Sequence, residues 1–300
     1  MNRISTIVTL GLMTISLAAE DGKVYGKLDG QVLATGGGKI LIFDSNGRTI
    51  WSHKASKPHD VWMLPGGNVL YAGPQVIEIN PKTNEVVFKY KSKTKSHEGA
   101  FSCQRLADGM TLIGENSTGK ILEVAKDGKI VFELQLPNIK IGNHHNMRMA
   151  RKLDNGNYLV CHSGRKLVRE YTPEGKIALE IKTGNVAFSA SRLPNGNTLV
   201  GHINNITEFD PEGKKVWEFN HKKDAGEFKI GWTCGVHTLG NGNMVVGLYR
   251  SQRGKKGAAI FEMTRDKKIL WRYVGKDAHM MSAQKLTADG KVLSNKKTLR

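Results

Sequence analysis

Leu193-Pro-Asn-Gly-Asn-Thr-Leu199, followed by Ile206-Thr-Glu-Phe-Asp-Pro-Glu-Gly-Lys214 and then Val216-Trp217, is the stretch that decides the fold. An apolar residue closes one strand, Asn-Gly turns the chain, and a second apolar strand begins. Asn-Gly and Asp-Gly tolerate the positive φ that a tight hairpin demands. A third apolar run follows, then another polar turn, then an outer strand marked by one bulky residue. The opening phrase recurs as Leu64-Pro-Gly-Gly-Asn-Val-Leu70, Leu106-Ala-Asp-Gly-Met-Thr-Leu112, Leu153-Asp-Asn-Gly-Asn-Tyr-Leu159 and Leu239-Gly-Asn-Gly-Asn-Met-Val245. A copy one residue longer spans Leu286 to Leu293. The turn glycines Gly67, Gly109, Gly156, Gly196, Gly242 and Gly290 lie 42, 47, 40, 46 and 48 residues apart. Four short strands per unit at that period describe the blade of a β-propeller.

Five units are complete, at about 59–91, 97–135, 144–182, 186–220 and 232–274. Gln31–Thr35, Lys39–Phe43 and Thr49–Trp51 read as second, third and fourth strands that lack a first. Met280–Leu286 reads as a first strand that lacks the rest. The sequence therefore predicts an all-β, six-bladed propeller of four-stranded antiparallel blades, with both chain ends sharing one blade. Joining them leaves no open edge in the ring. Seven blades is the alternative, if Val24–Leu28 begins a blade of its own. The aromatics Trp51, Phe88, Phe132, Trp217 and Trp271, repeated at one blade position that Leu179 fills in another unit, are expected to pack between blades.

The chain has 300 residues, with Lys+Arg 45 against Asp+Glu 27 and a formal charge of +18. The lysines are spread over turns, and a positive field of this size favours anionic partners. No nucleic-acid reader motif accompanies it. Three cysteines cannot form a disulfide framework. Residues 1–19 combine Arg3, an apolar run from Ile4 to Leu17 and small residues, the plan of a signal peptide cut near Ala18 or Ala19. The run is too short to span a membrane. The expectation is an exported, monomeric single-domain propeller covering residues 20–300, with no membrane span.

In a propeller, first strands line the channel, and the blade-to-blade links emerge on one face together with the turns between second and third strands. Here that face carries the irregular inserts, at 89–98, 137–146, 220–230 and 249–257. Such inserts mark a binding face. His59, His97, His144, His145 and His279 fall where links enter inner strands, and His162 and His202 fall just after second strands. His53 and His221 are expected at the rim. Arg105, Arg148, Arg151, Arg192 and Lys285 lie on or beside inner strands, with Asn116 and Asn146 nearby as amide donors. Alternation along a strand lets only some of them face the channel. The other possibility is that they satisfy only water and neighbouring backbone. No metal-ligand spacing is present, although histidines gathered around an axis could hold a metal.

His59-Asp-Val-Trp-Met-Leu-Pro-Gly-Gly-Asn-Val-Leu70 and His145-Asn-Met-Arg-Met-Ala-Arg-Lys-Leu-Asp-Asn-Gly-Asn157 resemble blade openings of the bacterial arylsulfotransferase-like proteins. Asp210-Pro-Glu-Gly-Lys-Lys-Val-Trp217 is also similar to the repeats of PQQ-like quinone-cofactor propellers. The first resemblance implies sulfuryl transfer through a channel histidine. His145 or His144 would be the nucleophile, and His59, His97, His279 and Arg148 would stabilise the sulfuryl oxygens. The second implies a PQQ cofactor. The residues themselves point to a non-catalytic propeller that binds an anionic small molecule or polysaccharide, such as a sulfated or carboxylated glycan. In that reading His162, His202, Arg105, Arg151, Arg192, Asn116 and Asn146 contribute to the ligand site.

Overall fold

The computed structural model describes residues 22–92, 99–277 and 279–293. The strands form six antiparallel sheets arranged as a ring. Blade one contains Asp60–Met63, Val69–Ala72, Gln75–Ile79 and Val86–Lys91, and blade two Ala100–Arg105, Thr111–Glu115, Lys120–Val124 and Ile130–Gln135. Blade three contains Met149–Lys152, Tyr158–His162, Leu167–Tyr171 and Ile177–Lys182. Blade four contains Ala187–Arg192, Thr198–His202, Asn205–Phe209 and Lys215–Asn220. Blade five contains Trp232–Thr238, Met244–Tyr249, Ile260–Met263 and Ile269–Val274. Blade six joins the chain ends: Ala283–Leu286 pairs with Gln31–Gly36, which continues into Lys39–Phe43 and Thr49–Lys54.

Two expectations at the closure are corrected. The seven-blade alternative fails because Lys23–Gly26 starts no new blade. It pairs with the outer strand of blade five, Gly26 opposite Trp271, and covers the free hydrogen-bonding edge there. The closing strand is also shorter than expected. His279–Met280 separates from it and pairs with Tyr249 and Leu248 at the end of blade five's second strand.

The apolar alternation of the strands fills the wedges between blades. One buried cluster lies at each of the six boundaries. Trp271 and Phe88 are buried there, while Trp51, Phe132, Leu179 and Trp217 pack against the cluster edges. Gly196 has φ +87°, the conformation its hairpin requires.

A second, polar pattern repeats with the blades. In each blade the outer strand carries a one-residue bulge, opposite the step that follows Glu78, Glu123, Glu170, Glu208 and Glu262 in the third strand, and Ile42 in blade six. Each glutamate meets a cation from the next blade. Glu78 pairs with Arg105 at 2.5 Å, Glu123 with Lys152 at 2.6 Å, Glu170 with Arg192 at 2.6 Å and Glu262 with Lys285 at 2.8 Å. These cations occupy one position of the repeat, immediately before Leu106, Leu153, Leu193 and Leu286. Blade five has Thr238 there, and Glu208 is reached instead by Arg265 from the outer turn. At the sixth boundary the pair becomes apolar, with Ile42 and Met63 in one cluster.

Candidate ligand-binding cavity

The links that enter the inner strands converge on a cavity of about 680 Å³ at one end of the channel. His59 stands just before blade one's inner strand, and His144, His145 and Arg148 just before blade three's. His279 lies on the short strand beside blade five. All five line the cavity. The sixth candidate for a catalytic role, His97, lies outside the described residues, as does the leader segment 1–19.

One wall is built around Phe101. The His59 ring lies 4.0 Å from it, the His144 ring 5.2 Å, and the Arg148 guanidinium 4.8 Å. Arg148 Nη2 donates to His144 Nε2, so a neutral His144 carries its proton on Nδ1. The His145 ring meets His144 edge-on at 5.1 Å. Burial holds the His59 pKa well below the usual imidazole range, and the positive charge of Arg148 adds to the shift. At neutral pH His59 is therefore an uncharged ring beside the Arg148 guanidinium.

The facing wall is an aromatic arc. Phe188 stacks with Trp232 at 5.9 Å, Trp232 meets Tyr249 at 5.4 Å, and Tyr249 stacks on His279 at 4.1 Å. The Arg250 guanidinium covers Trp232 at 4.3 Å. The Arg250 backbone N–H donates to His279 Nδ1 at 3.4 Å, so a neutral His279 carries its proton on Nε2. Gly36, Gly37 and Gly38 form a lip without side chains. A Cβ at Gly37 would sit 2.5 Å from the Asp277 carboxylate, which pairs with Lys39 at 3.4 Å. Cys234 also lines the cavity, but burial pushes its thiol up to about 12 against the pull of Arg148, so it stays protonated.

Asn116 and Asn146 hold the link that carries His144 and His145. Asn146 Nδ2 donates to the Asn116 carbonyl at 3.0 Å and the Lys140 carbonyl at 2.8 Å. Asn116 Nδ2 donates to the Asn143 carbonyl at 3.0 Å, and its Oδ1 accepts from the Met147 N–H at 3.0 Å. From the other side the Gly164 N–H donates to the His145 carbonyl at 3.0 Å. His162 is buried behind this link, its Nδ1 3.3 Å from the Asn146 carbonyl and its Nε2 2.8 Å from the Tyr171 hydroxyl.

Other expected residues stand away from the cavity. His202 is buried in blade four, against Phe209. Arg105 and Arg192 are committed to Glu78 and Glu170 at the opposite end of the inner strands. Arg151 lies below the cavity floor, paired with Asp60 at 2.9 Å. His221 is not at the rim: it is buried, with Nε2 3.0 Å from Thr233 Oγ1. Conversely, Lys57, Arg250, Trp232, Tyr249 and Phe188 line the cavity without having been singled out. For Tyr249 and Arg250 the start of the 249–257 insert was the available signal. Among the described residues no group of three or more His, Cys, Asp and Glu converges as a metal site, and no helix is long and apolar enough to cross a membrane.

No family model and no curated protein sequence matches the chain. Solved structures do. A protein of unknown function from Bacteroides caccae is similar with a TM-score of 0.75 and 20% identity, over 85% of this chain and 98% of that one. A streptogramin B lyase structure gives a TM-score of 0.60 and 15% identity, over 91% and 90% of the two chains. The WD40 propeller domain of Doa1 gives 0.60 and 12% identity, over 91% and 88%. These likenesses establish the propeller fold.

Proposed function

We propose that this protein is an exported propeller that binds an anionic ligand, a sulfated or carboxylated glycan or a similar surface partner, at the His- and Arg-rich mouth of its channel. One observation carries the reading. The cavity lining brings together Lys57, Arg148, Arg250 and four histidines, and among the described residues it contains no carboxylate. A concave site with positive charge, few polar groups and aromatic walls suits a ring that carries acid groups. The stacked Trp232, Tyr249 and His279 offer flat faces for the ring, and Arg148 and Arg250 offer the counter-charge. Isothermal titration with a heparin tetrasaccharide and an oligogalacturonide tests this. Binding of either should weaken steeply between 50 mM and 500 mM salt and disappear in Arg148→Glu/Arg250→Glu. Binding insensitive to both overturns it.

A second reading, sulfuryl transfer through a channel histidine, is favoured by the uncharged His59 ring held beside Arg148. An imidazole nitrogen would attack sulfur, the aryl O–S bond would break, and the phenolate would leave. An acceptor phenol would then take the sulfuryl group and return the nitrogen to its free state. Turnover of an aryl sulfate that is lost in His59→Ala and His145→Ala would support it, and absence of turnover in the native protein would dismiss it.

A further inference from the structure

We infer that the boundary between blades four and five, on the face opposite the cavity, holds a second binding site, one that accepts an alkylguanidinium group. The internal repeat shows what such a site is built for. At the boundary between blades three and four, Glu170 Oε1 is held by Asn155 and Asn157, and its Oε2 takes the Arg192 guanidinium. The guanidinium also donates to the Gly196 carbonyl at 3.2 Å. Arg105 repeats the arrangement, with Glu78 at 2.5 Å and the Gly109 carbonyl at 2.7 Å.

Between blades four and five the receiving half is intact. Glu208 is buried, its Oε1 is held by Asn195 and Asn197, and Gly242 takes the turn position of Gly109 and Gly196. The donating half is missing, because Thr238 stands where Arg105 and Arg192 stand and is too short to reach. The result is a cavity of about 360 Å³ lined by Leu193, Pro194, Leu199, Leu239, Glu208 and Thr238, with the hydroxyl of the buried Thr238 unpartnered. Arg265 reaches Glu208 from an outer turn, stacked on Trp217 at 4.3 Å, and its stem does not fill the space. A guanidinium on a three- or four-carbon stem would lay the stem along the leucines. It would place its head on Glu208 Oε2 and the Gly242 carbonyl, displacing the Arg265 contact while Arg265 stays on the indole. The group can come from a free alkylguanidine or from another protein's arginine side chain.

Thermal unfolding of the full chain with butylguanidinium, and with its uncharged isostere butylurea, tests the site. Butylguanidinium should raise the native midpoint saturably, by roughly 2–4 °C well above its Kd. The rise should be larger in Arg265→Ala, which removes the competing cation and leaves Glu208 in need of one. Thr238→Arg should fill the socket from within and abolish the rise. Butylurea should have no effect. N-acetylarginine amide distinguishes the sources: a matching rise indicates an arginine side chain, and no rise indicates a free alkylguanidine. The inference is overturned if butylguanidinium gives Arg265→Ala no saturable rise, or raises Thr238→Arg equally. Should Thr238→Arg not fold, butylguanidinium-dependent chemical-shift changes at Leu193 and Leu239 in the native protein decide the matter, and their absence is equally fatal.

Discussion

Asp60 and Arg151 meet at 2.9 Å beneath the cavity, and both are almost wholly buried. Asp60 ties four blades together, since its carboxylate also accepts from the Cys103 N–H of blade two at 3.2 Å and from Ser282 Oγ, next to blade six's inner strand, at 3.2 Å. Arg151 adds a donor to its neighbour's Ala150 carbonyl at 3.0 Å and lies over Trp62 at 5.0 Å. A buried pair contributes little net stability, but removing one partner leaves an uncompensated charge that costs about 3–5 kcal/mol. Asp60→Ala and Arg151→Ala should each destabilise the protein by that amount in urea unfolding, and the double variant by clearly less than the two combined. Additive losses would show that the two residues do not act as a pair.

Glu123 tests the polar ladder between blades. It accepts from Lys152 at 2.6 Å and from the buried Tyr158 hydroxyl at 2.6 Å; burial, with the hydrogen bond and charge of Glu123 added, holds that phenol far above its usual range. Glu123→Ala should cost about 2 kcal/mol, below the full cost of breaking a buried pair because Lys152 is partly solvated. Glu123→Gln keeps an acceptor for Tyr158 and should lose about half as much. Equal losses would mean that the charge carries the whole effect.

The ring was legible because its signal is local. Asn-Gly turns at a fixed period specify hairpins, and a leftover first strand at one end with leftover second to fourth strands at the other specifies the closure. The histidine cluster was legible through the same grammar, since links into inner strands must converge at one end of a ring. The roles of Arg105 and Arg192 were hidden. Their partners lie in the preceding blade, and a contact between blades leaves no mark in local spacing. Asn116 and Asn146 sat close to the cluster in sequence, but only the folded link shows their amides spent on backbone. Trp232 and Tyr249 stood apart from any repeated position, so the aromatic wall became visible only when blade five was folded against the His279 strand.

Buried histidines make stability depend on pH, and three of them stand away from the cavity. Burial pushes His162, His202 and His221 each down to about 4 from an ordinary 6.5. Above pH 6.5 they are neutral in both folded and unfolded chains and contribute no slope. Between about 6.5 and 4 the unfolded chain takes up protons that the folded chain refuses. Stability therefore falls with pH, at up to about 1.4 kcal/mol per pH unit for each ring. Below 4 the folded rings protonate and this contribution levels off. The urea midpoint should drop between pH 7 and pH 4.5, and less steeply in His202→Gln. An unchanged slope in that variant would mean that His202 does not titrate as its burial implies.

The link carrying His144 and His145 is held from both sides, so the proposed anion site can be loosened without touching a cavity residue. Asn146→Ala removes the amide that joins the Lys140 and Asn116 carbonyls. Gly164→Ala places a Cβ 2.9 Å from both Cβ and the carbonyl oxygen of His145 and pushes the link from behind. If the histidine pair binds ligand, each variant should weaken heparin-tetrasaccharide binding about tenfold, equivalent to about 1.4 kcal/mol. The urea midpoint should move much less, because the link sits outside the blade sheets. Gly156→Ala, in a distant hairpin at φ +86°, is the control: it should cost stability through backbone strain and leave affinity unchanged. Affinity that follows stability in all three variants, regardless of position, would remove the histidine pair from the binding site.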